Sequence, residues 1–236
     1  MQTLNFTLSN DDAVNPAIGL IVLQTDETME HDLRHWLPAS YRLFHTRIPN
    51  DQHVDESTLQ QMRERLPEVA AMLPEHTRFR VIVYGCTSGS TVIGEQVVTD
   101  SIQRIFPGSA VTNPLSAIKA QLHNVEARRI ALLTPYEPDV SAALITNLEN
   151  EGFRIVSAGT FNETQDHRVA RISRQSLLDA IYSLAANVEI DALVASCTNL
   201  RMFDMIKEAS ENIGCPVISS NSALAWHIQH IARADS

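Results

Sequence analysis

Apolar and polar positions change period repeatedly along this chain. Short apolar or alternating runs predict strands at Ala17–Leu23, Tyr41–Ile48, Phe79–Tyr84, Ala110–Val111, Arg128–Leu133, Phe153–Ala158, Ala192–Ser196 and Pro216–Ser219. Between them, helical spacing predicts Glu27–Leu37, Glu56–Leu73, Ser90–Ile105, about Leu115–Asn124, Asp139–Glu149, Arg174–Ala186, Met202–Asn212 and Ser222–Ala232. Pro38, Pro49-Asn50-Asp51, Pro74, Pro107-Gly108 and Gly152 supply the stops, and Pro67 predicts a kink in its helix. Strands alternating with helices predict an α/β fold, with parallel sheets covered by helices on both faces. Residues 1–16 read as an N-terminal arm.

Composition narrows the function classes. The chain has 236 residues, 44% apolar and 19% charged, an ordinary globular balance for one large or two small domains. Net charge is −10, from 18 basic and 28 acidic residues, with no Lys/Arg block, which disfavours a nucleic-acid partner. No apolar run is long enough for a membrane span, and the polar start lacks a signal-peptide pattern. Cys86, Cys197 and Cys215 are too few and scattered for a disulfide framework or a thiolate zinc site, so a cytoplasmic protein with reduced thiols is expected. Neither G-x-G-x-x-G nor G-x-x-x-x-G-K occurs, so a standard dinucleotide or P-loop site is unsupported.

One internal echo carries chemistry. Val81-Ile82-Val83-Tyr84-Gly85-Cys86-Thr87-Ser88 resembles Ala192-Leu193-Val194-Ala195-Ser196-Cys197-Thr198-Asn199: an apolar strand, a small residue, then Cys-Thr-polar before a predicted helix. Ligands of parallel sheets collect outside the carboxyl ends of strands. A helix N-terminus there offers free N–H groups, favours thiolate and can hold a carboxylate or enolate oxygen. Two thiols across one carbon could move a proton between its faces, or one could add to a double bond and leave after rotation. The alternative is that both cysteines are buried packing residues. Cys215, at the opposite strand end, reads as structural.

These residues resemble the aspartate/glutamate racemase superfamily, closest to the branch holding maleate isomerase, arylmalonate decarboxylase and the ectoine-utilisation proteins of the maleate-isomerase type. The resemblance is carried by residues 19–30, Tyr84–Ser90, Leu133-Thr134-Pro135-Tyr136, Ser196–Arg201 and Ser219–Trp226. It implies two flavodoxin-like halves with pseudo-twofold symmetry, here residues 17–112 plus 219–236 and residues 113–218. It also implies one catalytic cysteine from each half, Cys86 and Cys197, and no metal or organic cofactor. The carboxylate-binding elements carry over to Thr87, Ser88, Tyr136, Thr198 and Asn199. Isomerisation or racemisation of a small carboxylate or amino-acid-like substrate is then expected, in ectoine or hydroxyectoine breakdown, by a homodimer or higher homo-oligomer. Malonate-type decarboxylation and a non-catalytic carboxylate-binding role are the alternatives.

One departure bears on the substrate. Asp26 stands where maleate isomerases have Asn. An ionised Asp accepts hydrogen bonds and repels carboxylates, so Asp26 either pairs with an amino or amidinium group or caps the following helix. Asn221 lines the site or caps the last helix. Glu27, His31 and His35 share a helix face, as do His227 and His230, but with no matching ligand set both read as polar surface or packing. Trp226 reads as core packing.

Overall fold

The computed structural model describes residues 1–8, 15–51 and 56–234. Four parallel strands form the first sheet: β1 (Ala17–Leu23), β2 (Arg42–Ile48), β3 (Phe79–Gly85) and β4 (Ala110–Thr112), in the order β2-β1-β3-β4. The second repeats the pattern with β5 (Arg129–Thr134), β6 (Arg154–Thr160), β7 (Ala192–Ala195) and β8 (Val217–Ser219), in the order β6-β5-β7-β8. The sequence echo therefore falls on equivalent strands, β3 and β7.

The helices are α1 (Met29–Trp36), α2 (Glu56–Ala70), α3 (Thr87–Ile93), α4 (Glu95–Gln103), α5 (Pro114–Asn124), α6 (Pro138–Asn150), α7 (Asp166–Val169), α8 (Arg174–Ala185), α9 (Ile206–Ile213) and α10 (Ser220–Ala234). Strand alternation decides what they cover. Ile18, Leu20 and Val22 of β1 join Ile130 and Leu132 of β5 and Val194 of β7 in one core, with Leu33 of α1, Ile118 of α5, Leu144 of α6 and Ile228 of α10. The two sheets thus share a helical middle layer. The opposite face of the first sheet (Ile21, Ile82, Tyr84) packs on Met62 and Leu66 of α2 and Ile102 of α4. That of the second (Leu133, Leu193) packs on Leu177 and Ile181 of α8 and Ala209 of α9. Each fully buried Leu or Ile contributes roughly 1.5–3 kcal/mol by leaving water. After β8 the chain returns to the first sheet, where α10 lies against α5, α1, β3 and β4.

Three elements differ from the sequence expectation. The helix expected over Ser90–Ile105 starts earlier and is broken into α3 and α4 at Gly94, whose φ of +94° ends the first run. Ser90 and Thr91 also turn their hydroxyls back to the carbonyls of Cys86 and Thr87. The helix expected from Met202 begins only at Ile206, because residues 198–205 turn instead, with Met202 N–H donating to Leu200 O and Met205 N–H to Met202 O. The short α7 lacks an apolar period and was not predicted.

Of the expected arm, residues 1–8 have no regular structure and expose Leu4, Phe6 and Leu8, while 9–14 lie outside the described residues. Among the described residues no helix is long and apolar enough to cross a membrane.

Candidate active site

In each sheet the first strand is flanked by the second and third, so the chain order reverses between β1 and β3 and between β5 and β7. Such reversals open a crevice at the carboxyl ends of the strands. Thr25 and Asp26 follow β1, Asn50 follows β2, Cys86 follows β3, Tyr136 follows β5 and Cys197 follows β7. These ends meet at one small cavity. Its walls include both cysteines, Thr87, Ser88, Tyr136, Thr198 and Asn199, with Leu23, Asn50, Asp51, Thr58, Met62 and Asp166.

Cys86 is 2% exposed and caps α3, its Sγ accepting from the Gly89 amide at 3.1 Å. Ser88 Oγ lies 3.5 Å from the same sulfur. The Tyr84 hydroxyl is also close, and the absence of a side chain at Gly89 makes room for this packing. A Cβ there would stand 2.4 Å from Tyr84 Oη and 3.0 Å from Cys86 Sγ. Burial pushes the thiol up to about 11, against the pull of Ser88 and Gly89.

Cys197 is 5% exposed, and the Asn199 amide donates to its Sγ at 3.4 Å. Burial raises its pKa, the nearby Asp166 carboxylate adds to the rise, and the approaching Tyr136 hydroxyl opposes it. The Tyr136 hydroxyl also approaches Thr87, and burial beside the two thiols holds its own pKa well above the usual phenol range. A depressed thiol was expected from a helix N-terminus at each site. The structure differs twice: turns rather than a helix follow Cys197, and desolvation outweighs the hydrogen bonds at both sulfurs.

The other expected contacts divide into two groups. Thr87, Ser88, Tyr136, Thr198 and Asn199 line the cavity. The Asn199 side chain is already committed, donating to Asp166 O at 2.9 Å and accepting from the Glu27 amide at 2.9 Å. Asp26 and Asn221 stand behind the wall and are not among the lining residues. Asp26 Oδ1 accepts from the amides of Thr28 and Met29, both at 2.8 Å, which is the capping arrangement, and burial raises its pKa. Asn221 Nδ2 donates to Asp32 Oδ2 at 2.9 Å and Thr198 O at 2.7 Å, tying α10 to α1 and to the turn after Cys197.

Asp166 escaped the sequence reading. It is 6% exposed, and its Oδ2 accepts from Thr25 Oγ1 at 2.5 Å and Asn50 Nδ2 at 3.5 Å. Its one sequence signal is position, since it follows β6 at the carboxyl end of the second sheet.

The remaining candidates lie elsewhere. Glu27 pairs with Arg171 at 2.8 Å, whereas His31 and His35 pack their rings on Phe203. Among the described residues no three His, Cys, Asp or Glu side chains converge as a metal site. His227 Nδ1 meets Thr112 Oγ1 at 2.8 Å, and Trp226 is half-buried and stacks on His230 instead of filling the core. Cys215, half-buried ahead of β8, is away from the cavity.

The family described as arylmalonate decarboxylase matches this sequence over residues 18–236. The chain belongs to that family. A maleate isomerase from Nocardia farcinica is 29% identical over 233 residues, covering 89% of this chain and 88% of the relative. Arylmalonate decarboxylase from Bordetella bronchiseptica is 29% identical over 126 residues, 53% of this chain and 52% of that one. The fold matches the crystal structure of a maleate isomerase from Pseudomonas putida S16 with a TM-score of 0.83 at 20% identity, covering 91% of this chain and 92% of that one. It also matches a mutant Nocardia farcinica maleate cis-trans isomerase with a covalently bound succinylcysteine intermediate, at TM-score 0.81, 23% identity and 92% of each chain.

Proposed function

We propose that this family member isomerises a small carboxylate, with Cys86 and Cys197 as its reacting groups. The observation that supports the reading most is that two buried thiols, one after β3 and one after β7, line a single cavity with the Tyr136 hydroxyl. The hydroxyls of Thr87, Ser88 and Thr198 supply donors for a carboxylate, as do the amides of Thr87 and Ser88 at the start of α3, whereas those of Gly89 and Ser90 are taken by Cys86.

The two sulfurs differ in a way that assigns roles. Cys86 is the easier to ionise, with an amide and a hydroxyl beside its sulfur. Cys197 is held as the thiol by burial and a nearby carboxylate. For racemisation, the Cys86 thiolate removes the α-proton and the C–H electron pair moves into an enediolate. The Cys197 S–H then protonates the opposite face, leaving Cys197 as thiolate and Cys86 as thiol. For cis–trans isomerisation, the Cys86 thiolate forms a C–S bond at one carbon of the double bond, and the displaced electron pair takes a proton from the Cys197 S–H at the other. Rotation about the resulting single bond, return of a proton to the Cys197 thiolate and expulsion of the Cys86 thiolate then give the other isomer. The succinylcysteine in the Nocardia farcinica relative is a carbon–sulfur adduct of this kind in that protein.

Proton NMR in deuterated water tests the reading, with maleate, aspartate, glutamate and an arylmalonate as probes. The expected result is cis–trans conversion or α-deuterium uptake by the wild type, lost in both Cys86→Ser and Cys197→Ser. Carbon dioxide release that survives Cys86→Ser would assign the protein to decarboxylation instead. Turnover untouched by either variant would remove the thiols from the mechanism.

A further inference from the structure

The cavity has an unusual electrostatic balance for a carboxylate site. Among its described lining residues are two carboxylates, Asp51 and Asp166, and no Lys or Arg. Asp166 is the deeper, at 6% exposure. Its hydrogen bonds are one-sided: Asn50 Nδ2 donates to Thr25 Oγ1 at 2.8 Å, Thr25 Oγ1 donates to Asp166 Oδ2 at 2.5 Å, and no described residue donates to Oδ1. A carboxylate in so deeply buried a residue is stabilised in its charged form when a ligand in the cavity supplies a donor or a positive charge.

We propose that Asp166 holds the positively charged amino group of the substrate, so that the site takes an amino-carboxylate. The substrate carboxylate then lies toward the Thr87, Ser88 and Thr198 donors, and its ammonium group toward Asp166 Oδ1. A nitrogen-free dicarboxylate would set a second negative charge beside Asp166, and no Lys or Arg stands among the described lining residues to offset it. Asp26 does not take this role, because it is not among the lining residues: its Oδ1 is occupied by the amides that start α1, and its unpartnered Oδ2 is buried behind the wall.

The assignment also bears on the sulfurs. The Asp166 charge is among the causes that keep Cys86 and Cys197 protonated. An ammonium group docked on Asp166 offsets that charge, so ionisation of a thiol becomes easier once the right substrate is in place. The inference rests on the proposed isomerase reading for the location of the site, and its test is independent of turnover.

The test is isothermal titration calorimetry on the full chain carrying Cys86→Ser and Cys197→Ser, which stops the chemistry. The probes are racemic aspartate against succinate, and racemic 2-aminobutyrate against butyrate. At least one amino probe is expected to bind about tenfold or more tighter than its desamino partner. Asp166→Asn, which keeps an oxygen for Thr25, should bring that ratio to within about twofold. Succinate and butyrate binding as tightly as their amino partners would overturn the proposal, and that comparison does not depend on the Asp166 variant folding. A preference that survives Asp166→Asn, or no binding by either amino probe, would also overturn it. If amino probes bind but the wild type catalyses no exchange or isomerisation, the isomerase reading fails and the assignment of Asp166 stands.

Discussion

Thr25 Oγ1 donates to Asp166 Oδ2 at 2.5 Å, joining the loop after β1 of the first sheet to α7 beside the second. The bond bridges 141 positions in sequence and sits in the wall of the cavity that holds both cysteines. It is charge-assisted and largely shielded from water, so it should couple the two residues energetically. A double-mutant cycle with Thr25→Val and Asp166→Asn, read by urea denaturation, is expected to give a coupling energy of about 1–2 kcal/mol. Additive effects would show that the contact contributes no stability of its own.

The difference between the two sulfurs predicts an order of chemical labelling. With Cys215 replaced by Ser, iodoacetamide should modify Cys86 before Cys197, because the Cys86 sulfur, lifted by burial to about 11, has an amide and a hydroxyl beside it, whereas the Asp166 carboxylate weighs more on Cys197. The rate at Cys86 should keep rising with pH up to that value, as the thiolate fraction grows. Peptide mass spectrometry reads the order, and faster labelling of Cys197 would reverse the roles proposed for the pair.

Gly89 is predicted to tolerate no side chain. Gly89→Ala would set a methyl group 2.4 Å from Tyr84 Oη and 3.0 Å from Cys86 Sγ, and Tyr84 is fully buried with little freedom to retreat. Overpacking of this kind costs about 1–3 kcal/mol, and displacing a reacting sulfur by an ångström costs about 100-fold in rate. Thermal melts should show the first loss and turnover assays the second. Full activity in the variant would mean that Cys86 does not depend on this packing.

A stability change below neutral pH should trace to His227. Burial pushes its pKa from the ordinary 6.5 down to about 4, with Nδ1 held by Thr112 Oγ1. The folded state therefore prefers the neutral ring. The stability is present above about pH 6.5 and is lost as pH falls toward 4, because the unfolded chain binds the proton first. The loss should be on the order of 2 kcal/mol after allowing for the ring's partial exposure. His227→Gln, which keeps a polar partner for Thr112, should flatten the melting temperature across that window, and an unchanged slope would point to other groups.

How much of this site could be read from the sequence depends on how local its determinants are. β1 matches its expected limits because seven apolar residues end sharply at Gln24-Thr25-Asp26. Cys86 and Cys197 were legible because the strand–Cys–Thr pattern occurs twice. Asp166 was not, because its role comes from Thr25 and Asn50, which reach it only after the two sheets pack together. Asp26 was ambiguous for a related reason: capping and ligand binding demand the same residue type at the same loop, and only the position of Oδ1 separates them. The expected thiolates failed because burial depth, which the local pattern does not encode, outweighs the adjacent donors.

The return of the chain after β8 constrains how the protein is made. α10 follows every strand in the sequence, yet it covers β3 and β4 and packs on α1 and α5. As the polypeptide leaves the ribosome, the first sheet therefore emerges with one face still lacking one of its covering helices, α10. Leu224 and Ile228, which help close the shared core, arrive only after the entire second sheet has been translated. The half that is synthesised first is among the last to be completed, and its exposed apolar face during that interval is where a nascent-chain chaperone would be expected to bind.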